Sequence, residues 1–402
     1  MVPGAAASTA DSEVAGGSVT GFESKRGAVA PPRARLSSLP GTLLCLVFSC
    51  LPLEDNRRLA RCATAFHRTG KLHTASPLSI ELDESSGRRD WGAIMAHMAG
   101  TMWPRHLAFR CLDVGTDVDL AQLARITSLR RLKLLHVAPA NVDRLSDLAA
   151  LTDLTVRFDF SNAGRWEEAV AACTALVRLN IRCARATNLQ LFAALPLLES
   201  LTLEDPQLCG AHVWEPLGHM PRLSELGVIC TVEEWRSLAM PPLPATLALR
   251  RVVLHGDFGF SGGSTVASLP SLRSLDVERC NSRRMLYVRD MTRLESLALS
   301  FSELLPSPDN PNTLAVFGRL VLLHSLTLRN ARISNLAGLE QLAALTELDL
   351  RQCSELVALT GLGAGVTLRS LSLTNCAKLS DVQALTLATG LESLVMDACV
   401  AL

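Results

Sequence analysis

"LHSLTLRN" at Leu323–Asn330, "LTELDLRQC" at Leu345–Cys353, "LRSLSLTNC" at Leu368–Cys376 and "LESLVMDAC" at Leu391–Cys399 are copies of one phrase. Each carries an aliphatic residue at its first, fourth and sixth positions. The same frame opens at Leu129, Leu151, Leu176, Leu198, Leu223, Leu249, Leu272 and Leu294. A looser copy at Pro104 puts Leu107 and Phe109 in the apolar positions. Frames follow one another at 22 to 29 residues. Apolar–polar alternation over a few residues marks a strand with one buried face. One strand and its return cannot bury that face alone, so successive units must stack into a continuous core.

A Leu-x-x-Leu-x-Leu phrase at this period resembles the leucine-rich repeat. The resemblance implies an α/β fold: a horseshoe solenoid of about 13 repeats over residues 76–402, with a parallel β-sheet on its concave face. "LSIEL" at Leu78–Leu82 reads as a first strand and "WGAIMAHMAG" at Trp91–Gly100 as a returning helix. "LQLFAAL" (Leu189–Leu195), "LAGLEQLAAL" (Leu336–Leu345) and "VQALTLATG" (Val382–Gly390) read as helical or 3₁₀ back sides. "ELLPSPDNPNT" at Glu303–Thr313 is a Pro- and Asn-rich protruding loop. The sequence runs six residues past Met396 without a polar capping repeat; a partner or the N-terminal tail covering that edge, or further sequence beyond it, are the alternatives.

Bulk composition excludes several classes. Lys+Arg and Asp+Glu balance at 39 each, which leaves no overall field to collect nucleic acid or an acidic membrane. No apolar run reaches the length of a spanning helix. Residues 1–34 contain Asp11, Glu13 and Glu23 and no apolar signal-peptide core; they are rich in Ala, Gly, Ser, Thr and Pro, and read as a disordered tail. The expected location is the cytosol or nucleus, where the 12 cysteines stay reduced. Cys280, Cys353, Cys376 and Cys399 fall eight residues after the first Leu of their frames, where the chain bends out of the strand and a small buried thiol fits. No close Cys pair suggests a metal site.

Residues 35–75 differ in character. Leu39-Pro40 opens an apolar helix from about Thr42 to Cys50, on which Leu43, Leu44, Leu46, Val47, Phe48 and Leu51 point to nearly every side. Two further short helices carry Leu59, Cys62 and Phe66. Three helices of this size leave apolar surface to be covered by a partner. The order and spacing of Leu39-Pro40, Leu43/Leu44, Val47-Phe48, Leu51, Asp55, Leu59, Cys62 and Phe66 resemble an F-box. Thr42 and Phe66 depart from it, standing where that family often has an acidic residue and a Trp. The resemblance implies docking through Leu39, Pro40, Leu43, Val47, Phe48 and Leu51 on the adaptor of a cullin-based (SCF-type) ubiquitin ligase. A helical cap on the solenoid is the other reading of this segment.

Nothing points to catalysis or a cofactor. "GFSGG" at Gly259–Gly263 matches a nucleophile elbow, but it follows a repeat strand and lacks the α/β-hydrolase context. "DFG" at Asp257–Gly259 has no accompanying kinase motifs, and no P-loop, metalloprotease or dinucleotide fingerprint occurs. Function is therefore expected in surface binding of a protein. Frame positions three, five and seven face away from the core. Arg131, Lys133, Arg178, Arg182 and Arg251 place an Arg-rich surface on the N-terminal half of the sheet, suited to an acidic or phosphorylated protein segment. Asp153, Glu204 and Glu225 lie among them and could neutralise it internally.

Overall fold

The structure is a computed structural model of the 402-residue chain. It describes strands 79–83 and 106–110 and, with interruptions, residues 117–401; side chains of the first two strands are outside the described set. The apolar segment of residues 35–75, the tail 1–34, the stretch 91–100, the Gly259–Gly263 motif and most of the 303–313 loop lie outside the described residues.

Fourteen strands form one sheet in strict chain order, and every neighbouring pair is parallel. Pairing runs frame position to frame position. His106 faces Arg131, Arg131 faces Asp153, and Asp153 faces Arg178. The same row continues through Ser200, Glu225, Arg251, Ser274, Ser296, Ser325, Glu347 and Ser370 to Ser393. A slip of one residue would turn every Leu outward, so the apolar pattern sets this register. Backbone hydrogen bonds repeat with it. The Arg130 carbonyl accepts from the N–H groups of Thr152 (2.8 Å) and Asp153 (3.0 Å), and the Thr152 carbonyl from Val177 and Arg178. A register shift occurs between Ser274–Asn281 and Ser296–Glu303, after Val277.

Frame positions one, four and six fill the core. Leu129, Leu132 and Leu134 are buried, as are Leu323, Leu326 and Leu328 and their equivalents between. The last frame differs: Leu394 is 41% exposed, whereas Leu371, one strand earlier, is wholly buried. The back of the solenoid supplies the other wall of the core through Trp166, Phe192, Trp214, Phe317 and a file of leucines. Trp166 and Phe192 lie with ring centroids 6.0 Å apart, inside the range of favourable aromatic contact.

Two of the three back-side stretches read as helical or 3₁₀ contain such a segment, and the third does not. Residues 189–195 start with a four-residue α-turn, Leu189–Phe192, and Gln383–Leu387 is 3₁₀. Residues 336–345 form successive turns with no helix. Their Leu336, Leu339 and Leu342 are buried every third residue, a spacing turns satisfy as well as a helix does. Gly338 (φ 106°) and Gly361 (φ 111°) sit in these returns. A Cβ on Gly361 would lie 2.2 Å from the Leu336 carbonyl, so the repeats stack backbone on backbone there.

Frame position eight turns the chain out of the strand. Asp205, Asn330, Gln352, Asn375 and Ala398 all occupy it with φ between 50° and 64°. In the first four the N–H is spent on the next repeat, as in Asn330 N–H to Arg351 O (3.0 Å) and Gln352 N–H to Thr374 O (2.8 Å); Ala398 lies in the last frame. Position nine follows inward. The thiols of Cys353, Cys376 and Cys399 donate to the carbonyls of Leu328 (3.2 Å), Leu350 (3.2 Å) and Leu373 (3.0 Å) of the repeat before. Cys353 and Cys376 are buried free thiols; Cys399, in the last frame, is only partly buried. The side chain of Cys280 lies outside the described residues. Away from this ladder, Cys173 makes the same kind of bond to Leu145 O (3.2 Å) from the back side.

Candidate protein-binding face

The open face of the sheet is built from frame positions three, five and seven. Those residues are exposed or half-buried along most of the described sheet, while their neighbours at four and six are buried. In-register stacking places equal positions of successive repeats one strand spacing apart, about 4.8 Å. Thirteen strands from Leu107 onward therefore span roughly 58 Å, enough for a protein interface. Among the described residues no cluster of His, Cys, Asp and Glu suits a metal ion, and no helix is long and apolar enough to cross a membrane.

Arg131, Lys133, Arg178, Arg182 and Arg251 all stand on this face. Their charges are not equally available. Asp153 sits in the row between Arg131 and Arg178; its Oδ1 is 3.7 Å from Arg131 Nε and accepts a hydrogen bond from Arg178 Nε. Arg182 pairs with Asp205 at 3.0 Å, and Arg157 reaches past the intervening strand to Glu204 at 2.9 Å. Glu204 and Asp205 are the buried charged residues of the described chain. No ion pair engages Lys133 or Arg251 among the described residues. The anticipated basic surface is thus half neutralised by its own carboxylates, and Arg157 belongs to it as well.

Two further clusters lie toward the C-terminus. His255 stands beside Asp276 (Nε2 to Oδ1, 3.5 Å) and Glu278 (Nδ1 to Oε2, 3.6 Å). The Asp276 carboxylate facing Nε2 is the main cause that raises the imidazole pKa, and Glu278 adds to it against the opposing effect of burial. At 3.5 Å this is a long contact rather than an ordinary hydrogen bond, and Nε2 has no closer partner.

The other cluster centres on Asp349. Arg351 grips its carboxylate through Nε (2.9 and 3.0 Å) and Nη2 (2.6 Å), and the Arg351 N–H adds a fourth contact at 3.2 Å. Arg329, at the equivalent position one repeat earlier, approaches the same carboxylate at 3.6 Å. Burial pushes the Asp349 carboxyl up, but these Arg351 bonds and both guanidinium charges outweigh it and hold it below the ordinary carboxylate range. His255 and the Asp349 pairings were not singled out from the sequence. The signal existed, since His255 faces Glu278 and Thr327 faces Asp349 once the frames are stacked.

No family model matches the chain, and no curated protein matches it. Solved structures do. An internalin (inlF) from Listeria monocytogenes aligns over 84% of this chain and 94% of its own, at 15% identity and a TM-score of 0.46. TLR13, solved in complex with ssRNA13, aligns over 79% of this chain at 18% identity with a TM-score of 0.51; this chain spans 48% of it. A leucine-rich-repeat protein of Leptospira interrogans aligns over 82% of this chain and 86% of its own, at 14% identity and a TM-score of 0.41. Likeness at such identities concerns the fold. Together with the in-register parallel sheet and the Leu-filled core, it identifies the described chain as a leucine-rich-repeat solenoid domain.

Proposed function

We propose that this chain is the substrate-recognition subunit of an SCF-type, cullin-based ubiquitin ligase. Residues 35–75 dock the adaptor through Leu39, Pro40, Leu43, Val47, Phe48 and Leu51, and the open face of the repeats holds a protein substrate for ubiquitination. The chain works as a binding subunit in the cytosol or nucleus, without catalysis or cofactor of its own. The observation that carries this reading is the juxtaposition of two binding elements in one chain. An apolar segment with F-box spacing precedes a solenoid whose polar, charge-bearing sheet face is exposed or half-buried along most of the described strands. Helix-in-groove docking is a way for an apolar helical segment to recruit a partner. The substrate segment is acidic or phosphorylated where it meets Lys133, Arg131, Arg178, Arg182 and Arg251.

The test is co-purification of the adaptor with the full chain and with the Val47→Ala/Phe48→Ala double variant. The adaptor should be recovered with the wild type and lost with the variant, while the repeats melt unchanged. Recovery of adaptor at the wild-type level by the variant overturns the docking assignment. If the wild type captures other proteins but never an adaptor, the chain is a leucine-rich-repeat interaction scaffold without a ubiquitin role. The long open face supports that second reading equally well.

A further inference from the structure

We propose that Arg329 and Arg351 form an oxyanion site for a phosphorylated side chain of the protein partner, in the C-terminal half of the open face. This rests on the reading that the face binds a protein, and it assigns a recognition point outside the N-terminal arginine group. The two arginines hold the same frame position in successive repeats, Arg329 at the end of its strand and Arg351 in the turn after the next one, and both approach Asp349. Like charges so placed repel, and Asp349 alone lies between them. One carboxylate against two guanidiniums leaves a positive charge over.

The geometry leaves donors as well as charge. Arg351 is committed to Asp349 in a bidentate grip, but Arg329 meets it at only 3.6 Å, beyond hydrogen-bond length. Arg329 Nε is buried with no hydrogen-bond partner. The Arg329 side chain is nonetheless 42% exposed, and no hydrogen bond engages its guanidinium among the described residues, so the part that faces solvent is open to an acceptor. Besides Asp349, hydroxyl-bearing residues occupy the adjoining register positions. Ser300 is its register partner on one side, and Thr327 and Ser372 flank Asp349 in the neighbouring row. Two guanidiniums with hydroxyls around them match the charge and the acceptor count of a phosphate monoester. Arg157, in the N-terminal half, also has a buried Nε without a partner, but its Nη2 is hydrogen-bonded to Glu204 at 2.9 Å and Arg182 pairs with Asp205 at 3.0 Å, so each of those guanidiniums already has a carboxylate of its own.

Asp349 is then an internal stand-in for the ligand, which makes the site testable in both directions. The probe is a degenerate peptide library built around a fixed phosphoserine, with its unphosphorylated counterpart and inorganic phosphate alongside. Binding to the full chain is read by fluorescence anisotropy or calorimetry. The phosphorylated library should bind about tenfold or more tightly than the unphosphorylated one, the worth of a charge-assisted hydrogen bond. Arg329→Gln should erase that difference. Asp349→Asn, which removes the competing carboxylate, should widen it. Thermal melts accompany each variant, and Arg329→Gln, which loses only a long contact, is expected to fold normally. Equal binding of the two libraries overturns the proposal, as does a difference that Arg329→Gln leaves intact. Binding of inorganic phosphate as tightly as the phosphopeptide would also overturn it, by making the ligand a free anion. Adaptor capture does not enter this readout, so the proposal and the ligase reading fail separately.

Discussion

At the scale of single residues, each repeat depends on a few positions where the backbone leaves no choice. Gly361 combines φ 111° with a Cβ site 2.2 Å from the Leu336 carbonyl. Gly361→Ala should cost about 3 kcal/mol or more, from left-handed strain plus displaced backbone, measured as a loss in denaturant stability. Asn330 turns its chain with φ 56° and donates from Nδ2 to Phe301 O at 2.8 Å. Asn330→Ala should lose about 1–2 kcal/mol, because it removes both the bond and the residue type that tolerates this conformation. The buried thiols, two of them in the ladder, add a pH signature. Burial pushes Cys353 up to about 12 and Cys173, Cys230 and Cys376 up to about 11, from 9.0. Their folded pKa is the higher one, so folding favours the protonated form. That contribution is whole below pH 9 and is lost as pH climbs through 9 toward 11–12. Melting temperature should therefore fall over that alkaline window, and Cys353→Ala/Cys376→Ala should blunt the fall. An unaltered pH profile in the double variant would remove the thiols as its cause.

At the scale of the element, strand and return form a unit that borrows its stability from the next. Leu326 is wholly buried in the strand Ser325–Arg329, between Leu297 and Leu348 in register. Leu326→Ala should cost about 2–5 kcal/mol by leaving a cavity in a close-packed core. Loss should spread to neighbours, since solenoid stability is shared between adjacent repeats. Hydrogen exchange should quicken in Ser296–Glu303 and Glu347–Asp349 and much less in Arg131–Leu135. Uniform quickening along the whole sheet would mean one cooperative unit instead. The end element behaves differently: Leu394 is already 41% exposed, so Leu394→Ala should cost a small fraction of what Leu326→Ala does.

At the scale of the molecule, the ion pairs decide which surface arginines are useful probes of binding. Reversing Arg131, Arg178 and Arg182 to Glu would set new carboxylates against Asp153 and Asp205, and lost capture could then reflect a disturbed face. Lys133 has no such partner among the described residues, is exposed, and stands in the same patch. Lys133→Glu should release an acidic substrate from the N-terminal half while adaptor capture and melting temperature hold. Substrate capture there should also weaken as salt rises, because exposed charges are screened within about 8–10 Å at physiological ionic strength. Retention of the same captured proteins by Lys133→Glu would reduce this patch to a solvated surface.

The solenoid was legible in the chain because its causes are local and repeated. Leu at positions one, four and six specifies strand, facing and register together, and each copy restates them, so Arg131, Lys133, Arg178, Arg182 and Arg251 could be placed on one face from spacing alone. Even Asp153 between Arg131 and Arg178 follows from counting frames. What the tertiary structure decided is which charges meet. Arg157 passes over a strand to reach Glu204, 47 residues on, and Arg182 takes Asp205 at the turn rather than a row neighbour. Arg351 folds back on Asp349 and leaves Arg329 with an unpartnered Nε. Such pairings depend on side-chain reach, burial and competition among several acceptors at once, and no periodic pattern encodes them. On the back side the sequence reading of helical or 3₁₀ returns holds at Leu189–Phe192 and Gln383–Leu387 but not at residues 336–345: buried Leu every third residue fits a helix, a 3₁₀ segment or a run of turns, and only packing against the next repeat selects among them.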